Sequence, residues 1–359
     1  MLRMPDHKID VSHSFHSYRW AIVLVCGLLL FLCAENLYYY GLNIEKWDLL
    51  LISGVLTFIP AIRLAFNIPV RQDQMLNRLA QRGSLVISED KLQALKKRIH
   101  TEVKKWSMIG GVVLAICIFL AFLIAFGYQT ITYKLVLTIL EVTGGYLAGT
   151  FLGAMACYGR LGKMINNLRI ALKVQPGHID GVAGLKPIGE FYFNQAKICA
   201  LPALFLAVWL LIIQFGNTRY EVWRVPYAAL LGIAIIIEVL VFFVPLIFFH
   251  QEMVEQKRDY QQQADQMSKE ILKLQHELTQ EQQAPSRELL KDRLASLTKE
   301  YWDIENLPTW PVAIKTWRLF TRNNFALILP LMIELLSKTS LGKSAWWNSA
   351  TEVVKDLFK

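Results

Sequence analysis

Two glutamates stand inside long apolar stretches of the sequence, Glu141 within 135–156 and Glu238 within 225–249. On insertion scales an ionised acid at the centre of a bilayer costs about 3 kcal/mol, so such a group is protonated, paired or turned toward water. Two chemistries follow. One is an ion or proton pathway built on the titratable carboxyls. The other is a pair of protonated carboxyls that hydrogen-bond between helices. No Lys, Arg or His lies mid-run to pair with either glutamate. Beyond Glu141, Gly145, Gly149 and Gly153 recur every fourth residue, with Gly144 and Ala148 beside them. Small residues at that spacing let two membrane helices approach closely. The stripe therefore marks helix packing, either within one chain or at a subunit contact or water-lined seam.

A different kind of chemistry is suggested by His178 and Asp180, two apart in a segment crowded with Pro176, Gly177, Gly181, Gly184, Pro187 and Gly189. They form a possible ligand loop. A zinc site needs three or four donors, no third is evident nearby, and Asp-Gly is ordinary turn chemistry. His13 and His16 have HxxH spacing but lack the glutamate that a zinc protease places after the first histidine. No metal and no cofactor are assigned. Two phosphate-loop fragments fail: Gly342-Lys343-Ser344 has Ser337 where the first glycine belongs, and Gly162-Lys163 has Cys157 there. No Gly-x-Ser-x-Gly, HExxH or kinase set occurs, so the chain is read as no enzyme.

The elements that must position these residues are apolar helices. Six runs, 20–34, 49–66, 108–126, 135–156, 198–215 and 225–249, mostly approach the length of about 20 residues that a helix needs to cross a bilayer. The expected fold is all-α: a polytopic membrane protein with six transmembrane helices and a cytoplasmic helical hairpin. Leu32 before Cys33 and the residues Ala34, Glu35 and Asn36 give no cleavage or lipidation signal, so the first run is read as a retained helix. The chain carries a net charge of +9 over 359 residues, and its placement gives the orientation. Basic residues crowd 1–19, 63–105 and 158–197, whereas the opposite loops hold only Lys46, Lys134, Arg219 and Arg224. Basic loops face the cytoplasm. This predicts cytoplasmic termini in a plasma or bacterial inner membrane, with anionic lipid at the basic loops, and it accounts for the charge without nucleic acid. All five cysteines fall in or beside apolar runs, where cysteine acts as a small packing residue.

Between the runs, the domain plan is an N-terminal tail at 1–19, a six-helix domain at 20–249 with cytoplasmic helical segments at 70–105 and 158–195, a hairpin at 250–307, and a C-terminal interfacial segment at 308–359. The hairpin rests on two seams. Tyr260, Ala264, Met267, Ile271, Leu274 and Leu278 alternate in steps of four and three, and after Pro285 the pattern resumes with Leu290, Leu294, Leu297, Tyr301 and Ile304. The last apolar run, 325–336, is short and contains Pro330 and Glu334, so it is read as interfacial or packed under the membrane domain, with a seventh span as the alternative. For function, the leading expectation is an oligomeric channel- or transporter-like protein, a homo-oligomer using Glu141 and Glu238. The alternative is a membrane-anchored scaffold or signalling component that recruits a protein partner through 254–305.

Overall fold

The computed structural model describes residues 12–133, 135–215, 218–280 and 284–337. Their helices are α1 (Ser12–Tyr40), α2 (Leu49–Phe66), α3 (Ile68–Gln81), α4 (Glu89–Tyr133), α5 (Leu135–Tyr158), α6 (Leu161–Asn167), α7 (Lys186–Phe215), α8 (Arg224–Gln280), α9 (Ala284–Glu305) and α10 (Ile314–Ser337). Two dipeptide strands, β1 (Leu85–Val86) and β2 (Ala171–Leu172), pair antiparallel with Leu85 opposite Leu172. Among the described residues five helical stretches are long and apolar enough to cross a membrane: Ile52–Gln81, Glu89–Ala121, Lys186–Phe215, Arg224–Gln280 and Ile314–Leu336. The protein is an all-α chain of the membrane-spanning type. The run 325–336 is only the second half of α10, and the whole helix meets the length that the run alone lacks.

The chain divides into two compact units. The first contains residues 1–70, 195–239 and 320–359. Here α1 and α2 pack through Val25, Leu32, Val55 and Ile62. Asn36 fixes the turn between them, because its Oδ1 accepts the Asp48 N–H at 2.9 Å. Trp209 on α7 donates its indole N–H to Ser53 Oγ on α2 at 2.8 Å. A separate core joins α7, α8 and α10: Ala203, Ala207, Leu210, Leu231, Ile235 and Leu327 are buried together, with Leu331 against them. Small alanines on α7 leave room for the leucines of its neighbours.

The second unit contains residues 71–194 and 240–319. α3 and the polar first third of α4 bury matching apolar faces, Met75, Leu76 and Leu79 on one and Leu92, Leu95 and Ile99 on the other. α4 becomes apolar only after Lys105. From there it packs on α5 at backbone contact distance. A Cβ added to Gly149 would fall on the Gly110 carbonyl, and one added to Gly153 on the Trp106 carbonyl. Gly145 in turn faces Ile118.

α8 is one unbroken helix of 57 residues, about 85 Å long at 1.5 Å per residue. Its stretch 250–260 organises the surrounding loops. Gln256 accepts the Val174 N–H at 2.8 Å and donates to the Leu172 carbonyl. Lys257 Nζ donates to the carbonyls of Glu305 and Leu307 at 3.1 and 2.9 Å, capping the end of α9. Further along, Arg293 Nη2 meets Glu270 Oε1 at 2.6 Å. The two contacts pair rising numbers on α8 with falling numbers on α9, so the helices run antiparallel there.

Candidate functional site

Glu238 is 2% exposed, in the core of the first unit. Asn324 on α10 is its partner: Nδ2 donates to Glu238 Oε1 at 3.2 Å and to the Phe320 carbonyl at 3.1 Å. Glu238 Oε2 and Asn324 Oδ1 are buried with no hydrogen-bond donor among the described residues. An ionised carboxylate brings only acceptors and leaves both oxygens unserved. A protonated one brings the missing donor, and a buried polar group without its partner costs about 1–3 kcal/mol.

Ten residues along α10, Glu334 is 1% exposed and ion-paired. Its Oε2 accepts from Arg224 Nε at 2.7 Å and from Gln214 Nε2 at 2.8 Å. Arg224 also holds Glu221 at 3.0 Å. This cluster joins the end of α7, the start of α8 and the end of α10. Neither Asn324 nor the Glu334 cluster was identified as a site from the sequence. The signal was there. Trp317, Phe320, Asn324, Leu327, Leu331 and Glu334 recur in steps of three and four, a helix-packing stripe that a count of consecutive apolar residues overlooks.

Glu141 lies elsewhere, exposed on α5, and makes no hydrogen bond or ion pair among the described residues. Glu141 belongs to the second unit and Glu238 to the first.

The loop after β2 is built around Asp180, whose side chain is 5% exposed. Oδ1 accepts the N–H groups of Val182 and Gly184, both at 3.0 Å. Oδ2 takes Arg82 Nη1 at 2.8 Å, and His178 Nδ1 lies 2.9 Å from Oδ1. Burial pushes the carboxyl up, but the Gly184 and Val182 donors and His178 outweigh it, so Asp180 titrates below its ordinary value. Gly184 adopts φ +87° and its missing Cβ leaves room for Ser84 Oγ, which explains the glycine. His178 and Asp180 thus serve the loop's own backbone. Among the described residues no three His, Cys, Asp or Glu side chains gather as a metal site. His13 and His16 fall within α1, but their side chains lie outside the described residues.

A further polar spot joins α3 to the polar part of α4. His100 Nε2 is 3.3 Å from Asp73 Oδ1, at ion-pair distance without hydrogen-bond alignment. Asp73 raises the His100 imidazole above its ordinary value, with burial and Lys96 opposing. Lys96 itself is buried and donates to Asn77 Oδ1 at 2.7 Å.

Chemically, the described residues include a buried acid–amide pair at Glu238 and Asn324, a buried ion-paired carboxylate at Glu334 and an exposed carboxylate at Glu141. Compared with known proteins, the chain matches no family model, no curated sequence and no solved structure.

Proposed function

We propose that the protein is a membrane-anchored scaffold or signalling component whose cytoplasmic coiled-coil hairpin recruits a protein partner. The carrying observation is Glu238: it is enclosed in a helix seam and bonded to Asn324, which suits a packing role. The unbroken course of α8 adds support, since one helix holds the membrane seam at one end and the hairpin at the other. On the hairpin Ala264, Leu274 and Ile304 are buried, whereas Leu272, Leu289 and Trp302 are 65%, 72% and 56% exposed. Large apolar side chains left bare on an otherwise polar arm suit a docking face.

The same reading includes seven crossings, by α1, α2, α4, α5, α7, α8 and α10. The support is the course of α10. Asn324 meets Glu238, and Glu334 meets Arg224 at the start of α8 and Gln214 near the end of α7. The N-terminus then lies in the cytoplasm and the tail beyond Ser337 on the other side, unlike the six-crossing plan with both termini inside.

The test pairs two measurements on the full chain. Photo-crosslinkers placed at 272, 289 and 302 in cells should trap one defined protein, and Leu272→Glu with Leu289→Glu should abolish that adduct without affecting membrane insertion. Ion flux through purified protein in liposomes, lost on Glu238→Gln, would overturn the scaffold reading. Glu141 favours the channel-like alternative: a membrane carboxylate with no partner among the described residues fits a homo-oligomeric contact or an ion path.

A further inference from the structure

The second unit carries a built cationic spot where the paired helices α4 and α5 change from polar to apolar. On α4 the change falls at Trp106, directly after Lys104 and Lys105. On α5 it falls at Tyr158, two residues before Arg160. The close approach of Gly153 to the Trp106 backbone sets the two boundaries side by side. There the Arg160 guanidinium lies over the Trp106 ring, 4.7 Å from its centroid.

The guanidinium carbon sits over the indole ring, a contact that uses the ring's electron-rich face and consumes no hydrogen-bond acceptor. The side-chain N–H donors of Arg160 have no hydrogen-bond or ion-pair partner among the described residues, and a guanidinium offers them in a fork that matches phosphate oxygens. Arg160, Lys105 and Lys163 are exposed, and none of them makes an ion pair among the described residues. Glu102 lies one turn before Trp106 on α4. Both Glu102 and Arg160 act on Cys157, and one carboxylate leaves the spot cationic. Tryptophan prefers the headgroup level of a bilayer, which puts this charge at the depth of lipid phosphates.

We infer that Trp106 and Arg160, flanked by Lys105 and Lys163, bind the phosphate headgroup of an anionic phospholipid in the leaflet on the basic side of the protein. The inference rests on α4 and α5 crossing the membrane.

The experiment uses the full chain, purified and titrated with phosphatidylglycerol or phosphatidylcholine, with retained lipid counted by native mass spectrometry. Wild type should keep phosphatidylglycerol preferentially. Arg160→Gln should weaken that retention about fivefold, the worth of one cation at a membrane surface. Arg160→Lys should recover part of it, because the charge returns without the fork. Lys173→Gln, which removes an equal charge elsewhere on the same unit, should have no effect. Equal losses for Arg160→Gln and Lys173→Gln would overturn the site in favour of diffuse attraction. Full displacement of lipid by glycerol 3-phosphate would overturn it in favour of a soluble phosphate ligand. Resistance of the chain to alkaline extraction from membranes is scored separately, so failure of the crossing itself is distinguishable from failure of the lipid site.

Discussion

At the scale of single residues, the acid–amide pair makes a sharp prediction. Glu238→Gln keeps a donor and an acceptor opposite Asn324, so its stability in detergent should stay within about 1 kcal/mol of wild type. Asn324→Leu leaves Glu238 buried without its donor and should cost about 1–3 kcal/mol. Thermal unfolding of the purified variants reads the difference; equal losses would mean that the pair contributes nothing specific. Two polar side chains outside the membrane respond to pH in opposite senses. Asp180 titrates below its ordinary value in the fold, so its contribution is present above the ordinary aspartate range and fades as pH falls through and below it. His100 is raised by Asp73, so its contribution is full below the ordinary histidine value and is lost as pH rises through the raised one. Asp180→Asn should therefore flatten the acid side of the stability profile, and His100→Gln the neutral side. A variant profile parallel to wild type on its side would remove that residue from the account.

At the scale of elements, the α4–α5 contact depends on absent side chains. Gly149→Leu must push the Gly110 carbonyl away, and overpacking of this kind costs about 1–3 kcal/mol. Size-exclusion chromatography and melting should show a weaker fold, while Gly27→Leu, where nothing lies within 4 Å, should be tolerated. On the long arm, Leu274→Asp would put a charge into a position only 4% exposed and should melt the arm without preventing insertion, as circular dichroism and alkaline extraction would show. Much of this level was legible in the sequence. The apolar runs, most of the helical segment at 70–105 and the two seams on either side of Pro285 all fall on helices of the fold. The full length of α10 was not legible, because Arg318, Arg322 and Asn324 interrupt hydropathy while its three-four stripe still packs on α7 and α8. The β1–β2 pair was missed for another reason. A two-residue ladder has no periodicity and is held by Ser84, Gln175 and Gln256, which come from distant parts of the chain. Glu238 was legible as costly, but its partner lies 86 residues away, beyond any local pattern.

At the scale of the whole molecule, the number of crossings decides which side the tail occupies. A reporter fused after residue 359 should read external, one inserted at 282 cytoplasmic, and one at 217 external. A cytoplasmic signal from the first fusion, with the other two unchanged, would return α10 to the membrane surface and restore six crossings. The basic segments constrain the same frame, since moving Lys104, Lys105 and Arg160 across a bilayer opposes the positive-inside bias.

The separation between Glu238 and Asn324 also has a dimension in time. The chain leaves the ribosome at about 5–20 residues per second, so the 86 residues between the two partners take roughly 4–17 s to emerge. Throughout that interval α8 is already made, and its carboxyl has no amide to meet. Its final neighbour, α10, is the least apolar of the five helical stretches long enough to cross among the described residues, and it arrives only after the whole of the α8–α9 arm. The acid–amide bond is therefore a late event, closed only when α10 joins α8. Arrest of synthesis at residue 310 would capture the protein in that waiting state.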